Sequence, residues 1–138
     1  MHTAEHILNA TMVDYFNCDR CFSAHIEKRK SKCDYYLDRP IREEEIRFVE
    51  ERVNEIIDRN LKLEQEMVDK KKAEKDYDLK RIPGEVSGMV RVVKVGDYDA
   101  CPCVGPHVEC SGDIGRFKIT SYDWNNGVLR IRFKLEEN

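Results

Sequence analysis

Two short stretches near opposite ends of the sequence carry residue types that bind metal ions. His2 and His6 are four residues apart, a spacing that puts two side chains on one face of an α-helix. Cys103 and His107 are also four residues apart, in a segment that contains glycine and proline. One thiolate and three imidazoles form a tetrahedral donor set that suits Zn²⁺. We therefore expect a metal site of His2, His6, Cys103 and His107, provided that the fold brings the pairs together.

The spacing alone leaves alternatives open. Histidines at this spacing are common on protein surfaces, so the same residues also fit a helix start with two solvent-exposed histidines and an unrelated loop cysteine. Cys101, two residues before Cys103, competes as a ligand. The two histidines lack the His-Glu-x2-His order of zincin metalloproteases, so we do not favour a peptidase.

Three motifs together resemble a known family. Residues 2–8, HTAEHIL, resemble the HTAxHLL opening of the editing domain of alanyl-tRNA synthetase. Residues 103–108, CVGPHV, resemble its CGGTHV loop, and residues 111–119, SGDIGRFKI, are similar to its TGxIGxFKI stretch. Motif order and spacing agree over roughly the whole chain. In size the chain is similar to the free-standing form of this domain, the AlaX trans-editing proteins.

This resemblance implies a zinc-dependent hydrolase that removes wrong amino acids from tRNA(Ala). The zinc would lie in the deacylation site, and the fold would be a two-layer arrangement with a curved sheet. The implied partner is tRNA(Ala) charged with serine or glycine. We favour serine, because a pocket can hydrogen-bond its hydroxyl and so discriminate it from alanine. The loop departs from the family at Val104 and Pro106, which stand where glycine and threonine are usual.

The sequence does not identify a general base. His25 is a weak candidate, since in the family a strand pair at this place lines the amino-acid pocket, but a histidine on a strand is more often structural. Asp97 or Asp99 is a candidate acceptor that would hold a metal-bound imidazole in one tautomer. For each aspartate a role in a turn is the alternative.

Cys18 and Cys21 have the Cys-x2-Cys spacing of a zinc knuckle, but a second pair at that spacing is missing. Cys33 and Cys110 are the spare thiols that would have to complete a second, structural metal site. The alternative is one buried and one half-exposed cysteine with no metal.

Composition sets the class of protein. The chain has 138 residues, 37% charged and 41% hydrophobic, which favours one domain over residues 1–138 with a real core. No apolar run approaches the roughly 20 residues that span a membrane, and no secretion signal pattern is present. We therefore expect a cytoplasmic protein whose six cysteines are reduced.

The charge does not indicate bulk binding of nucleic acid, since the net charge is −3. Any contact with tRNA must come from local basic patches. Candidates are residues 27–32, at the tip of a predicted hairpin, and the lysine cluster of residues 70–75. For both, a solvated surface is the alternative.

The hydrophobic pattern predicts an α+β fold, with helices packed on a mainly antiparallel curved sheet in two layers. The Asn126-Gly127 pair predicts a type I′ turn between the last two strands. The predicted helices are residues 3–16, 41–60 and 70–75, and the predicted strands are residues 22–26, 33–37, 61–68, 90–95, 117–122 and 128–135.

Two other functions remain open. In one, zinc holds together a noncatalytic module that binds RNA or a protein through its basic patches, and the four-ligand set favours this, because closed four-ligand zinc sites are usually structural. In the other, Cys101 or Cys110 is the nucleophile of a thiol enzyme. The sequence shows no base beside either cysteine.

Overall fold

The structure, a computed structural model, describes residues 2–27, 30–69, 71, 89–102 and 108–136. Within these ranges the chain forms two α-helices, seven β-strands and one 3₁₀ helix. In chain order these are α1 (His2–Phe16), β1 (Ser23–Ile26), β2 (Ser31–Tyr36), α2 (Glu43–Asp58), β3 (Leu63–Asp69), β4 (Met89–Val95), β5 (Asp99–Pro102), the 3₁₀ helix (Ser111–Ile114), β6 (Arg116–Asn125) and β7 (Val128–Glu136).

The strands form two antiparallel sheets, which confirms the predicted α+β class. One sheet has the order β1-β2-β7-β6 and the other the order β3-β4-β5. The pattern of the sequence predicts a single sheet, but β4 pairs with β3 and β5 rather than with the β6–β7 hairpin. Among the described residues, an isolated bridge between Lys62 and Cys110 pairs the segment before β3 with the segment before the 3₁₀ helix.

The second helix is amphipathic and packs one apolar face on the core. It begins at Glu43 rather than at the predicted Ile41, because Arg42 is extended and forms the N-cap. Glu45 accepts a hydrogen bond from the Arg42 backbone N–H at 3.1 Å, which satisfies a donor that the helix start would otherwise leave open. The buried apolar residues of this face are Ile46, Val49, Val53, Ile56 and Ile57.

The β6–β7 hairpin confirms the predicted turn. Asn126 and Gly127 both have positive φ angles, 49° and 82°, as a type I′ turn requires. The alternation of the strands sends Phe117 and Phe133 into the core, where their ring centroids lie 5.2 Å apart. The hairpin thus forms one wall of the main hydrophobic core.

Strand β5 is a strand that the pattern of the sequence did not predict. Residues 96–102 lie outside all of the predicted strands, but Gly96 adopts a φ of 50° and the chain turns back so that Asp99 pairs with Val95. This short strand packs against α1. Of the predicted lysine-rich helix at 70–75, only Lys71 lies within the described residues.

Candidate metal centre at the start of the first helix

The start of α1 is buried although it is polar. The helix begins at His2, one residue before the predicted start, and every residue from Thr3 to Asn9 is buried. Buried polar groups are costly unless they are paired. The partners of Glu5, His6 and Asn9 therefore define what this region can do.

His6 is held by a carboxylate from β5. Its Nδ1 lies 3.3 Å from Oδ2 of Asp99, and both side chains are almost fully buried. Asp99 is one of the two aspartates that the sequence suggests as an acceptor for an imidazole, and the other, Asp97, is exposed. A carboxylate on one ring nitrogen is the usual support of a histidine that binds metal through the other nitrogen. The geometry of His6 thus fits a metal ligand.

Arg20 completes a chain of three charged or polar groups. Its guanidinium donates two hydrogen bonds to the Asp99 carboxylate, at 2.7 and 3.2 Å. Burial alone raises the pKa of Asp99, but the hydrogen bond with His6 and the charge and hydrogen bond of Arg20 lower it overall. Asp99 is therefore a carboxylate at neutral pH, fixed in position from both sides.

His2 lies one helical turn before His6, as predicted. Its side chain is 35% exposed, and its Nδ1 lies 3.9 Å from Oε2 of Glu5. Cys103 and His107, the other two predicted ligands, lie outside the described residues. On one side of them, the buried Pro102 ends β5 beside α1, and on the other, Val108 packs against the main core.

A second group of metal-binding residue types includes Glu5 on α1 and two cysteines that lie near it. Glu5, Cys21 and Cys33 are all buried, and their ligand atoms lie within 4.8 Å of one another. The Cys-x2-Cys spacing predicts instead that Cys21 binds metal together with Cys18, with Cys33 and Cys110 as the spare thiols. The Sγ of Cys18 instead donates to the carbonyl oxygen of Met12 at 3.5 Å, and Glu5 takes the place expected for that thiol.

Asn9 positions one of these cysteines. Its Oδ1 accepts hydrogen bonds from the backbone N–H of Cys21 at 3.2 Å and from the hydroxyl of Tyr35 at 2.8 Å. Burial raises the pKa of Tyr35 well above its ordinary value, and the nearby Cys33, Cys21 and Glu5 raise it further. Tyr35 is thus a neutral phenol at physiological pH that donates to Asn9.

His25 differs from these residues because its side chain is exposed rather than buried. It is on β1, its side chain is 61% exposed, and its Nε2 lies 2.7 Å from Oε1 of Glu27. This placement gives no support to a catalytic role, which stays a prediction. The competing ligand Cys101 is half-buried on β5, and its Sγ donates to the carbonyl oxygen of Pro102 at 3.4 Å.

An open cavity adjoins the His6–Asp99–Arg20 chain. Its volume is about 450 Å³, which is within the range of small-molecule sites. Arg20 and Asp99 form part of its wall, so this charged pair is accessible from the cavity. The other lining residues are Ala10, Val13, Asp14, Arg52, Asp97 and Tyr98.

Comparison with known proteins agrees with the resemblance of the three motifs. Residues 90–132 match the family described as the threonyl and alanyl tRNA synthetase second additional domain. This segment belongs to that family. It contains β4, β5, the 3₁₀ helix, β6 and most of β7.

The whole chain is similar to part of much longer proteins. It is 34% identical over 137 residues to an alanine–tRNA ligase of Aeropyrum pernix, 31% identical over 143 residues to one of Treponema denticola, and 33% identical over 139 residues to one of Stenotrophomonas maltophilia. These alignments cover 96%, 98% and 94% of this chain, but only 15%, 23% and 15% of the relatives. The chain thus spans less than a quarter of the length of these relatives.

The segment that matches the second additional domain contains only some of the residues of the candidate metal centre. Asp99, Cys103 and His107 fall inside residues 90–132, whereas His2 and His6 lie outside. The alignments with alanine–tRNA ligases reach over nearly the whole chain and so extend beyond the family match.

Among the described residues, no helix is long and apolar enough to cross a membrane.

Proposed function

We propose that this chain is a metal-dependent deacylase that hydrolyses the ester of mischarged tRNA(Ala) in the cytoplasm, acting in trans as one domain over residues 1–138. The observation that carries the proposal is His6, a buried histidine held by Asp99 at the start of a helix. The similarity of the chain to alanine–tRNA ligases over nearly its full length supports the class of substrate.

We propose Zn²⁺ as the metal and His2, His6, Cys103 and His107 as its ligands. Two features of the described residues support this set. His6 has the carboxylate partner that metal-binding histidines usually have. Strand β5, which packs against α1, ends at Pro102, so Cys103 is the next residue along the chain from an element that contacts the helix of the two histidines.

The bound metal would polarise the ester carbonyl and lower the pKa of the attacking water. The protein's own part begins with Asp99, which holds the proton on Nδ1 of His6 and so presents Nε2 for coordination. Arg20 keeps Asp99 ionised and fixed in position. Backbone N–H groups near Gly105 are proposed donors to the oxyanion of the tetrahedral intermediate.

We propose serine as the preferred amino acid, with glycine as the second candidate. A site that hydrogen-bonds the serine hydroxyl leaves a buried group unpaired when alanine is bound, and this penalty protects correctly charged tRNA(Ala). Glycine offers no hydroxyl, so its removal would need another discrimination. Val104 and Pro106 are the residues that would change specificity relative to the family, since they alter the loop beside the proposed ligands.

The test is single-turnover deacylation of Ser-, Gly- and Ala-tRNA(Ala) by zinc-loaded protein, with a Cys103→Ala variant beside it. We expect fast release of serine and its loss in the variant. A Cys18→Ser variant is the matched control, because Cys18 bonds to Met12 and not to the candidate metal centre. Equal turnover in metal-free and metal-loaded protein would contradict the zinc mechanism.

A second candidate function is a noncatalytic, zinc-stabilised module that binds RNA or a protein. A full set of four protein ligands favours it, because catalytic zinc sites usually keep one position open. It predicts that chelation unfolds the protein and that none of the three charged tRNAs is hydrolysed by folded, metal-loaded protein.

A further inference from the structure

Glu5, Cys21 and Cys33 form a compact group of donor atoms that the proposed catalytic ligand set does not use. The exposed fractions of the three residues are 5%, 2% and 0%. They come from three separate places in the chain, namely α1, the segment before β1, and β2. Their approach is therefore a product of the fold and not of sequence spacing.

The distances fit a small tetrahedral ion. An ion with bonds of about 2.3 Å to sulfur and about 2.0–2.2 Å to oxygen separates its donor atoms by about 3.5–3.8 Å. The Sγ of Cys21 lies 3.7 Å from Oε1 of Glu5, and all three donor atoms lie within 4.8 Å of one another. Closing the group around an ion would thus need a shift of about 1 Å in its longest separation.

The donor types also favour a cation. The Cys21 thiol donates to Oε1 of Glu5, and a bound divalent ion would displace the thiol protons and offset the charge of the two thiolates and the carboxylate. A soft divalent ion such as Zn²⁺ or Cd²⁺ matches the two sulfur donors.

We propose that Glu5, Cys21 and Cys33 bind a divalent, thiophilic metal ion at a structural site that is separate from the proposed catalytic ligand set. The two thiolates and one carboxylate oxygen supply three of the four ligands of a tetrahedral ion. The ion ties the start of α1 to the β1–β2 strand pair. Because Glu5 directly precedes His6, it also fixes the part of the helix on which His6 lies.

Cobalt substitution separates this site from the proposed catalytic one. Co²⁺ bound by thiolate absorbs in the near ultraviolet, with an intensity that grows with the number of sulfur ligands. We expect the full chain with Cys103→Ser to keep this absorption, since Cys21 and Cys33 remain. Adding Cys21→Ser or Cys33→Ser to that variant should remove about one bound ion per chain, and most of the remaining absorption should be lost with it.

The control is Cys18→Ser, in the same Cys103→Ser background. Cys18 has the zinc-knuckle spacing to Cys21, but its Sγ bonds to the Met12 carbonyl, so absorption should not change. If the Cys21→Ser or Cys33→Ser variant fails to fold, the cobalt absorption of the Cys103→Ser protein tests the proposal by itself. If that folded protein shows no thiolate-to-cobalt absorption, the proposal is overturned.

The outcomes also separate this site from the proposed function, on which it does not depend. Persistent absorption in a protein that cleaves no charged tRNA would leave the structural site standing and remove the deacylase. Deacylation that needs metal, combined with complete loss of absorption in Cys103→Ser, would leave the deacylase standing and remove this site.

Discussion

The two helices of this protein differ in how many polar side chains they bury beside their apolar ones. Helix α2 turns one stripe of isoleucine and valine to the core and keeps most of its charges on the surface. Helix α1 buries Thr3, Glu5, His6, Asn9 and Thr11 beside its apolar residues. Burying polar groups gains no stability over well-packed apolar ones. The difference agrees with the proposal that α1 carries metal ligands, whereas α2 mainly contributes to the hydrophobic core.

The largest effect in stability should come from the core face of α2. Ile56 is fully buried, so Ile56→Ala should lower the free energy of unfolding by about 3 kcal/mol through lost burial and a residual cavity. Chemical denaturation measures this change. Deacylation per folded molecule should stay the same, and a specific loss of activity would show that α2 is not only structural.

A substitution on β5, beside the buried start of α1, should act through the metal. Asp99→Asn weakens the support of His6, and we expect metal affinity to fall about 10–100-fold, with deacylation falling alongside it. Competition with a chelator measures the affinity. Asp58→Asn is the control on α2, because Asp58 forms an exposed ion pair with Arg116 and should leave metal affinity unchanged.

Two buried asparagines give a matched comparison between the helices. On α2, Asn54 donates to the Phe117 carbonyl at 2.8 Å and accepts from the Phe117 N–H at 2.9 Å. On α1, Asn9 accepts from Cys21 and Tyr35. Each alanine variant should lose about 2 kcal/mol of stability, because buried partners are left unsatisfied.

The two asparagine variants should differ in metal content. Asn9→Ala releases the backbone of Cys21, so we expect it to reduce the metal retained by the Glu5–Cys21–Cys33 group, whereas Asn54→Ala should not. Denaturation and elemental analysis of the folded proteins measure the two effects. Equal metal retention in the two variants would mean that Asn9 supports the fold but not metal binding.

The smallest expected effect is on the pH dependence of stability, and it arises from Glu45 at the start of α2. The side-chain hydrogen bond from Arg39, helped by Arg42, outweighs desolvation and lowers the pKa of Glu45 from its ordinary 4.5 to about 2. The stability that Glu45 contributes is therefore fully present above about pH 5 and is lost as the pH falls from 4.5 towards 2. We expect about 1 kcal/mol, because Arg39 and Arg42 are largely exposed and screened by solvent.

Denaturation as a function of pH, with Glu45→Gln beside the wild type, measures this contribution. The variant should lose less stability between pH 5 and pH 2. Parallel curves would show that the ion pair contributes nothing measurable.

Features of the fold that depend on local sequence could be predicted. The Asn126-Gly127 turn, the apolar stripe of α2 and most strands follow from neighbouring residues, and the structure places them within a few residues of expectation. The division into two sheets could not be predicted, since it depends on which distant strands pair. Strand β5 was missed because its four residues, Asp99–Pro102, have no strong alternation.

The candidate site shows the same limit. Sequence spacing relates His2 to His6, but the sequence leaves open whether Asp97 or Asp99 is the acceptor for an imidazole. The approach of Glu5 to Cys21 and Cys33 had no local signal, because the spacing of Cys18 and Cys21 pointed to a different set. Only the fold brings these three residues together, from α1, the segment before β1, and β2.

The most direct test of the central claim is single-turnover deacylation of Ser-tRNA(Ala) by wild-type and His6→Ala protein, each with its metal content measured. We expect rapid release of serine by the wild type and a rate at least about 100-fold lower in the variant, together with loss of the catalytic metal. Unchanged release of serine by folded, metal-depleted His6→Ala protein would contradict a metal-dependent deacylase built on the start of α1.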